Sequence, residues 1–248
     1  MLLLIDAGNT RIKWALAAED AALGDWQASG AVTHAELNHL PASWQNANIS
    51  RAVVANVAGS KLRDQLQLMI PTKSISWFAS EPQLGGLRNA YRNPRQLGCD
   101  RFAAALGARA LEPGKALIVA TCGTATTIDA ISADGVFLGG MILPGLGLMA
   151  SSLARNTAQL PQVAPGAALP AGFADNTDDA ILSGCLSAQA GAIERACALH
   201  GAAQCIISGG AARYIAPVLA LPPPMTHRIV DNIVLTGLHS TVAPTRTA

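Results

Sequence analysis

The segment Asp6-Ala7-Gly8-Asn9-Thr10 carries a carboxylate, a glycine, an amide and a hydroxyl within five residues. That set suits the phosphates of a nucleotide. A glycine lets backbone N–H groups approach an anion closely, and Asn9 and Thr10 add side-chain donors. Lys13 adds a cation, whereas Asp6 would repel phosphate and suits a Mg²⁺ ion or its waters. The same residues also make an ordinary hairpin turn, and short motifs often match by chance. A second segment, Gly123-Thr124-Ala125-Thr126-Thr127-Ile128-Asp129, again offers glycine, hydroxyls and a carboxylate. Taken alone it is also a Thr-rich strand. A third, Ser208-Gly209-Gly210-Ala211, could let a flat ring such as adenine lie on two glycines, or be a plain strand-to-helix turn. Two phosphate-type segments in matching places are harder to dismiss than one.

The acceptor side is carried by Gly98-Cys99-Asp100-Arg101. Phosphate transfer to an alcohol needs a carboxylate within hydrogen-bond reach of the hydroxyl. Asp100 stands at the start of a predicted helix, where a capping role would also explain it. Arg101 favours an anionic acceptor, because a guanidinium grips a carboxylate with two parallel bonds. Cys99 has no histidine near it in sequence and reads as packing. The five cysteines are scattered and the five histidines lack metal-like spacing, so neither a disulfide framework nor a zinc site is expected.

These groups must be held by elements, and the pattern predicts them. Residues 2–5 and 11–17 read as the two strands of a hairpin, 52–57 and 75–78 as further strands, and 62–69 as a helix. Residues 82–98 read as a loop and a helix follows from Asp100 to Pro113-Gly114. Strands are expected at 116–121 and 126–131, then a turn at Asp134-Gly135 into a strand at 136–138. Residues 157–175 read as a loop. Asn176 caps a long helix that ends before Gly201 and carries Gly184, Ala188 and Gly191 on one face. A strand at 204–207, a helix from 211 to about 220 and a last helix after Asp231-Asn232 complete the chain. The opening strand-turn-strand plan recurs from residue 116, which divides the chain into 1–112 and 113–248.

Composition agrees with a folded α/β protein. Of 248 residues half are hydrophobic and 13% charged, enough to bury a core, and the net charge is +1. No basic block suggests nucleic acid or a polybasic membrane surface, and no apolar run is long enough to span a bilayer. Asp6 interrupts the apolar N-terminus too early for a signal peptide, and unpaired thiols fit a cytoplasmic protein.

In this order, the two phosphate-type segments and the Gly-Gly turn resemble the superfamily of acetate kinase, sugar kinases, heat-shock 70 and actin. The resemblance implies two RNase-H-like domains, each a mixed sheet with flanking helices, with a nucleotide cleft between them. With Gly98-Cys99-Asp100-Arg101, Gly140-Met-Ile-Leu-Pro-Gly145 and Asn176-Thr177 followed by Ala180-Ile181-x-x-Gly184, the chain resembles type III pantothenate kinase, the Bvg accessory factor family, over nearly its whole length.

That resemblance implies ATP-dependent phosphorylation of pantothenate to 4'-phosphopantothenate, the first step of coenzyme A synthesis, by a homodimer. It makes Asp6, Ala7, Gly8, Asn9, Thr10, Arg11, Ile12 and Lys13 the first ATP loop, with Thr124 also on ATP. Asp100 becomes the general base. Tyr91, Gly98, Cys99, Asp100 and Arg101 contact pantothenate, and Thr177 is a substrate contact completed across the dimer. Asp6 and Asp129 are the candidate Mg²⁺ residues. The aspartate that the family often places two residues before Gly123, tied to a monovalent cation (K⁺ or NH₄⁺), is Thr121 here, so that cation is absent or held by other oxygens. Two other readings stay open: another kinase or phosphohydrolase of the superfamily, and a non-catalytic accessory protein. Retention of Asp6, Asp100 and Asp129 favours an enzyme.

Overall fold

The computed structural model describes residues 1–163, 166, 170 and 172–242. Part of the loop expected over 157–175 (164, 165, 167–169 and 171) lies outside the described residues. In chain order the elements are β1 (Leu2–Ala7), β2 (Arg11–Ala17), β3 (Ala28–Thr33), α1 (Leu40–Trp44), β4 (Arg51–Asn56), α2 (Ser60–Met69), β5 (Ile75–Phe78), β6 (Gln83–Leu84), β7 (Leu87–Asn89) and α3 (Cys99–Leu111). They continue with β8 (Leu117–Cys122), β9 (Ala125–Ile131), β10 (Val136–Pro144), α4 (Leu146–Asn156), α5 (Thr177–His200), β11 (Gln204–Ser208), α6 (Ala212–Ile215), β12 (Thr226–Ile229) and α7 (Ile233–Ser240).

These elements form two compact units. The first holds Met1–Pro113, Gly135–Phe137 and the segment from Asn232; the second holds Gly114–Asp134 and Leu138–Asp231. In the first unit five strands lie in the order β3-β2-β1-β4-β5. β1 is antiparallel to β2 and parallel to β4. Its residues Leu2–Ile5 are all buried, as the unbroken apolar run of a strand covered on both faces should be. Trp14, Trp44, Leu40 and Leu66 pack with Leu3 and Ile5 on one side. On β1 and β4 lie α3 and α7.

Two glycines set how close α3 and α7 come. A Cβ on Gly107 would lie 2.7 Å from the Ile233 carbonyl oxygen, and one on Gly237 would overlap the Ala103 carbonyl. The helices therefore touch backbone to backbone, and α3, which carries Asp100, is seated by the last helix of the chain. The division expected at 112/113 left that helix with the second half. It belongs to the first unit, where it crosses α3 at the two glycines and lies on β1 and β4.

The second unit repeats the strand order as β10-β9-β8-β11-β12. β8 is antiparallel to β9 and parallel to β11, which is parallel to β12. Its core is built on Ile118, Ile128, Ile193, Cys205 and Ile207, with α5 over β8 and β9 and α4 beside α5.

Several elements differ from expectation. The loop expected over 82–98 contains the β6–β7 hairpin and a 3-10 turn at Pro94–Gln96, and β7 pairs in parallel with Val136 and Phe137. The strand expected at 136–138 runs on to Pro144. The helix expected over 211–220 is broken into α6 and a 3-10 turn at Ala216–Val218, where Pro217 has no N–H to donate. α4 has no counterpart among the expected elements; it starts directly after Gly145 and contains Gly147, and glycines disfavour a helix.

Candidate functional site

In the first unit the β1–β2 turn is closed by the Gly8 N–H donating to the Arg11 carbonyl at 3.1 Å. His34, at the end of β3, lies with Nε2 2.9 Å from the Gly8 carbonyl and ties the turn to the sheet edge. Asn9, Thr10 and Arg11 are exposed at the turn. Ala7 and Ile12 are fully buried and can offer a ligand only their backbone. Asp6 pairs across the hairpin with Lys13. Burial pushes the Asp6 carboxyl up to about 6; Lys13 opposes this and the nearby Asp100 adds to it.

Asp100 reaches the same neighbourhood from α3. Gly98 caps that helix without a side chain, and Asp100 lies in the first turn. Its Oδ1 accepts from the Arg101 N–H at 2.8 Å, and a Cβ on Gly98 would stand 2.7 Å from that oxygen. Glycine at 98 thus leaves room for the carboxylate rather than supplying an unusual dihedral. Burial raises the Asp100 pKa against the pull of the Arg101 N–H and guanidinium. The Cys99 thiol donates to the Asn56 carbonyl at 3.6 Å, fastening the helix start to the end of β4. Burial pushes this thiol up to about 11, so it stays a neutral packing group.

Arg101 is buried, at 7% exposure. Its Nη1 donates to the Tyr91 hydroxyl at 2.9 Å, and the guanidinium carbon stands 5.7 and 5.9 Å from the Tyr91 and Phe137 ring centres. Such rings favour a cation and hold its plane in one orientation. Asn89 builds the loop beneath: its Oδ1 accepts from the Tyr91 N–H and its Nδ2 donates to the Pro94 carbonyl. The sequence pointed to Tyr91 and Arg101, and the structure brings them together. Asn89 and Phe137 were missed, because nothing local marks them; Phe137 arrives through the β7–β10 pairing. Arg88, Arg92 and Arg95, in the same segment, are exposed to solvent.

In the second unit the β8–β9 turn is closed by Gly123 N–H to the Ala125 carbonyl at 3.0 Å. Two further segments converge on it. The Gly145 N–H donates to the Thr124 carbonyl at 2.9 Å, and a Cβ there would overlap the Gly123 carbonyl and lie 2.6 Å from that of Thr124. Gly145 also caps α4, so the positive end of that helix starts beside the turn. From the other side the Ala211 N–H donates to the Cys122 carbonyl at 3.0 Å. Gly209, with φ of 93°, has its missing Cβ pointed at the Cys122 backbone, whereas a Cβ on Gly210 would meet nothing. Of the two glycines, only Gly210 leaves an open face for a flat ring.

Asp129 is buried and sits opposite Val119, four residues beyond the turn. Thr121 pairs with Thr127 where the first unit has Asp6 and Lys13. Thr177 opens α5 and lines an apolar groove with Met149, Leu153, Ala180 and Gly184. It belongs to a different unit from Tyr91 and Arg101. Among the described residues no three His, Cys, Asp or Glu side chains gather as a metal cluster. No helix of the described residues is long and apolar enough to cross a membrane.

Residues 2–199 match the family model of type III pantothenate kinase. The chain is 54% identical to the type III pantothenate kinase of Herminiimonas arsenicoxydans, covering 97% of this chain and 96% of that one. It is 55% identical to that of Janthinobacterium sp. (strain Marseille), with the same coverage. Among solved structures, a Sinorhizobium meliloti protein assigned as a 2-dehydro-3-deoxygalactonokinase aligns over 100% of this chain and 98% of its own, at 16% identity and a TM-score of 0.59. That likeness concerns the fold: two RNase-H-like units of the actin-like ATPase type.

Proposed function

The chain belongs to the type III pantothenate kinase family, and from that membership we propose how its residues divide the ATP-dependent phosphorylation of pantothenate that opens coenzyme A synthesis. The observation that carries the proposal is the pairing of Asp100 with Arg101. A carboxylate raised by burial is a better base than a solvated one, and a caged guanidinium next to it suits a substrate that is both alcohol and acid. Asp100 accepts the proton of the primary hydroxyl. That oxygen attacks the γ-phosphorus in line, and the bond to the β,γ-bridging oxygen breaks to release ADP. Arg101 holds the pantothenate carboxylate, with Tyr91 orienting the guanidinium and Gly98 keeping space for Asp100. Cys99 acts through packing.

The backbone of Gly8, with Asn9, Thr10, Arg11 and Lys13, is assigned to the phosphates, as are Gly123 and Thr124; Gly210 is assigned to the adenine. Asp6 suits Mg²⁺. Its carboxylate is buried beside that of Asp100, with Lys13 opposing its charge, and a divalent cation would offset the cost of burying it ionised. When bound there, Mg²⁺ offsets charge developing on the transferred phosphate. Asp129, four residues into β9, is less well placed beside its turn. A monovalent cation near Thr121 would rest on neutral oxygens and be held weakly.

A homodimer through α5 is part of the same proposal. Gly184, Ala188 and Gly191 are exposed on one helix face, and added side chains at the two glycines meet nothing. Leu148, Leu153, Met141 and Ile142 are exposed in the same unit. The five free cysteines support a reducing, cytoplasmic setting.

The test is a coupled phosphorylation assay over small alcohols, with pantothenate and its uncharged alcohol analogue among them. Pantothenate should be turned over far faster than the analogue. Equal rates would remove the role given to Arg101, and ATP consumption indifferent to every acceptor would remove the kinase reading.

A further inference from the structure

Gln189 is fully buried on α5, and the mechanism above does not use it. Its Nε2 donates to the Pro144 carbonyl at 2.7 Å and lies 3.0 Å from the Met149 sulfur. Its Oε1 is buried with no hydrogen-bond partner. The Pro144 carbonyl and the Gly145 N–H belong to one planar peptide group. That N–H donates to the Thr124 carbonyl at 2.9 Å. A single peptide plane is thus gripped at both ends, by Gln189 on one side and by the 123–124 turn on the other. Donation to a carbonyl polarises the N–H of the same peptide and strengthens its bond onward. Without the grip the plane is free to turn, because Gly145 has no side chain to resist. An amide left half unsatisfied in a core is a poor choice for packing alone, where a methionine of similar shape would serve better.

We infer that Gln189 is a positioning residue for ATP: through the Pro144–Gly145 peptide it fixes the 123–124 turn in its phosphate-binding shape. The inference rests on the assignment of that turn to ATP. Gln189→Met keeps the volume and removes the donor. Its KM for ATP should rise about tenfold, the equivalent of about one hydrogen bond. Its KM for pantothenate should stay within about twofold, and its Tm should be unchanged or higher, since the orphaned carbonyl is gone. An unchanged KM for ATP, or a rise in both KM values with a lower Tm, overturns the inference.

Gln189→Glu gives a second readout should the methionine variant fold badly. A carboxyl there donates to Pro144 only when protonated. The ratio of its KM for ATP to that of the wild type should therefore climb with pH. A ratio flat from about pH 5.5 to about 9, the range in which a buried carboxyl titrates, would count against the inference. Failure of the underlying assignment would show elsewhere, as Thr124→Ala with an unaltered KM for ATP.

Discussion

The β1–β2 and β8–β9 turns occupy the same place in two sheets of the same strand order, yet they are built from opposite materials. In the first, Asp6 stands two residues before the turn glycine and pairs with Lys13; in the second, the corresponding positions are Thr121 and Thr127. The first turn is charged and lightly braced, by one histidine ring on Gly8. The second has neutral hydroxyls and is braced from two sides by Gly145 and Ala211. One fold position therefore serves two tasks. Where charge must be managed, the carboxylates crowd together and their proton affinity rises. In the second turn, to which the proposed function assigns phosphate, the backbone is immobilised instead.

The sharpest way to break this contrast is Asp100→Asn. Loss of the base should lower kcat by about 10³-fold while Tm holds, because the substitution removes a buried charge and little packing. A variant with near-normal kcat would empty the charged half of its meaning. On the neutral half, Gly145→Ala should cost about 10²-fold in kcat/KM for ATP, since the turn must shift by about 1 Å to admit the methyl group. If ATP kinetics survived with the fold intact, rigid bracing would not be what that turn provides.

A milder test concerns Asp6. Its carboxyl titrates near 3.8 when unfolded and is pushed up to about 6 in the fold. The native state thus binds the proton more tightly, and stability falls as pH rises from about 4 to about 6, then levels. Asp6→Asn stays neutral, so without nucleotide or Mg²⁺ it should be the more stable protein at pH 8, by up to about 3 kcal/mol, with no advantage below pH 4. Denaturant melts at both pH values measure it, and equal stability at pH 8 would mean the burial cost is already offset. Asp100 is raised too, so the acid limb of kcat/KM should lie above the ordinary carboxylate range. The smallest effect belongs to Thr121. Exchanging K⁺ for a bulky organic cation should change the wild-type rate by about twofold or less. Thr121→Asp should make the rate respond to K⁺, transplanting a charge from the first turn's design into the second.

Much of the site was legible because its motifs are short and local. Gly98-Cys99-Asp100-Arg101 spans one helix start, and each turn lies between two adjacent strands of clear pattern. What stayed hidden depends on distant partners. β3 is a run of small, half-exposed residues at a sheet edge, with no periodic signal to find. α4 begins with glycines that mark turns elsewhere, and only the approach of residue 145 to the 123–124 turn explains the first of them. Phe137 and Asn89 join the Arg101 cage through pairing that no local spacing announces. Asp129 lies in β9 opposite Val119, within the strand that its pattern predicts.

The seating of α3 on α7 has a consequence for how the protein is made. A ribosome releases the sheet, the charged turn and α3 long before it releases α7, with more than a hundred residues between them. At about 5–20 residues per second, that interval is on the order of 6–20 s. Until then the backbone-wide groove at Gly107 has nothing of its own to fill it. The helix bearing Asp100 is thus among the earlier parts synthesised and among the last to be secured. A nascent chain stalled before residue 232 would carry every charged residue of the acceptor side and still lack the element that holds it in place.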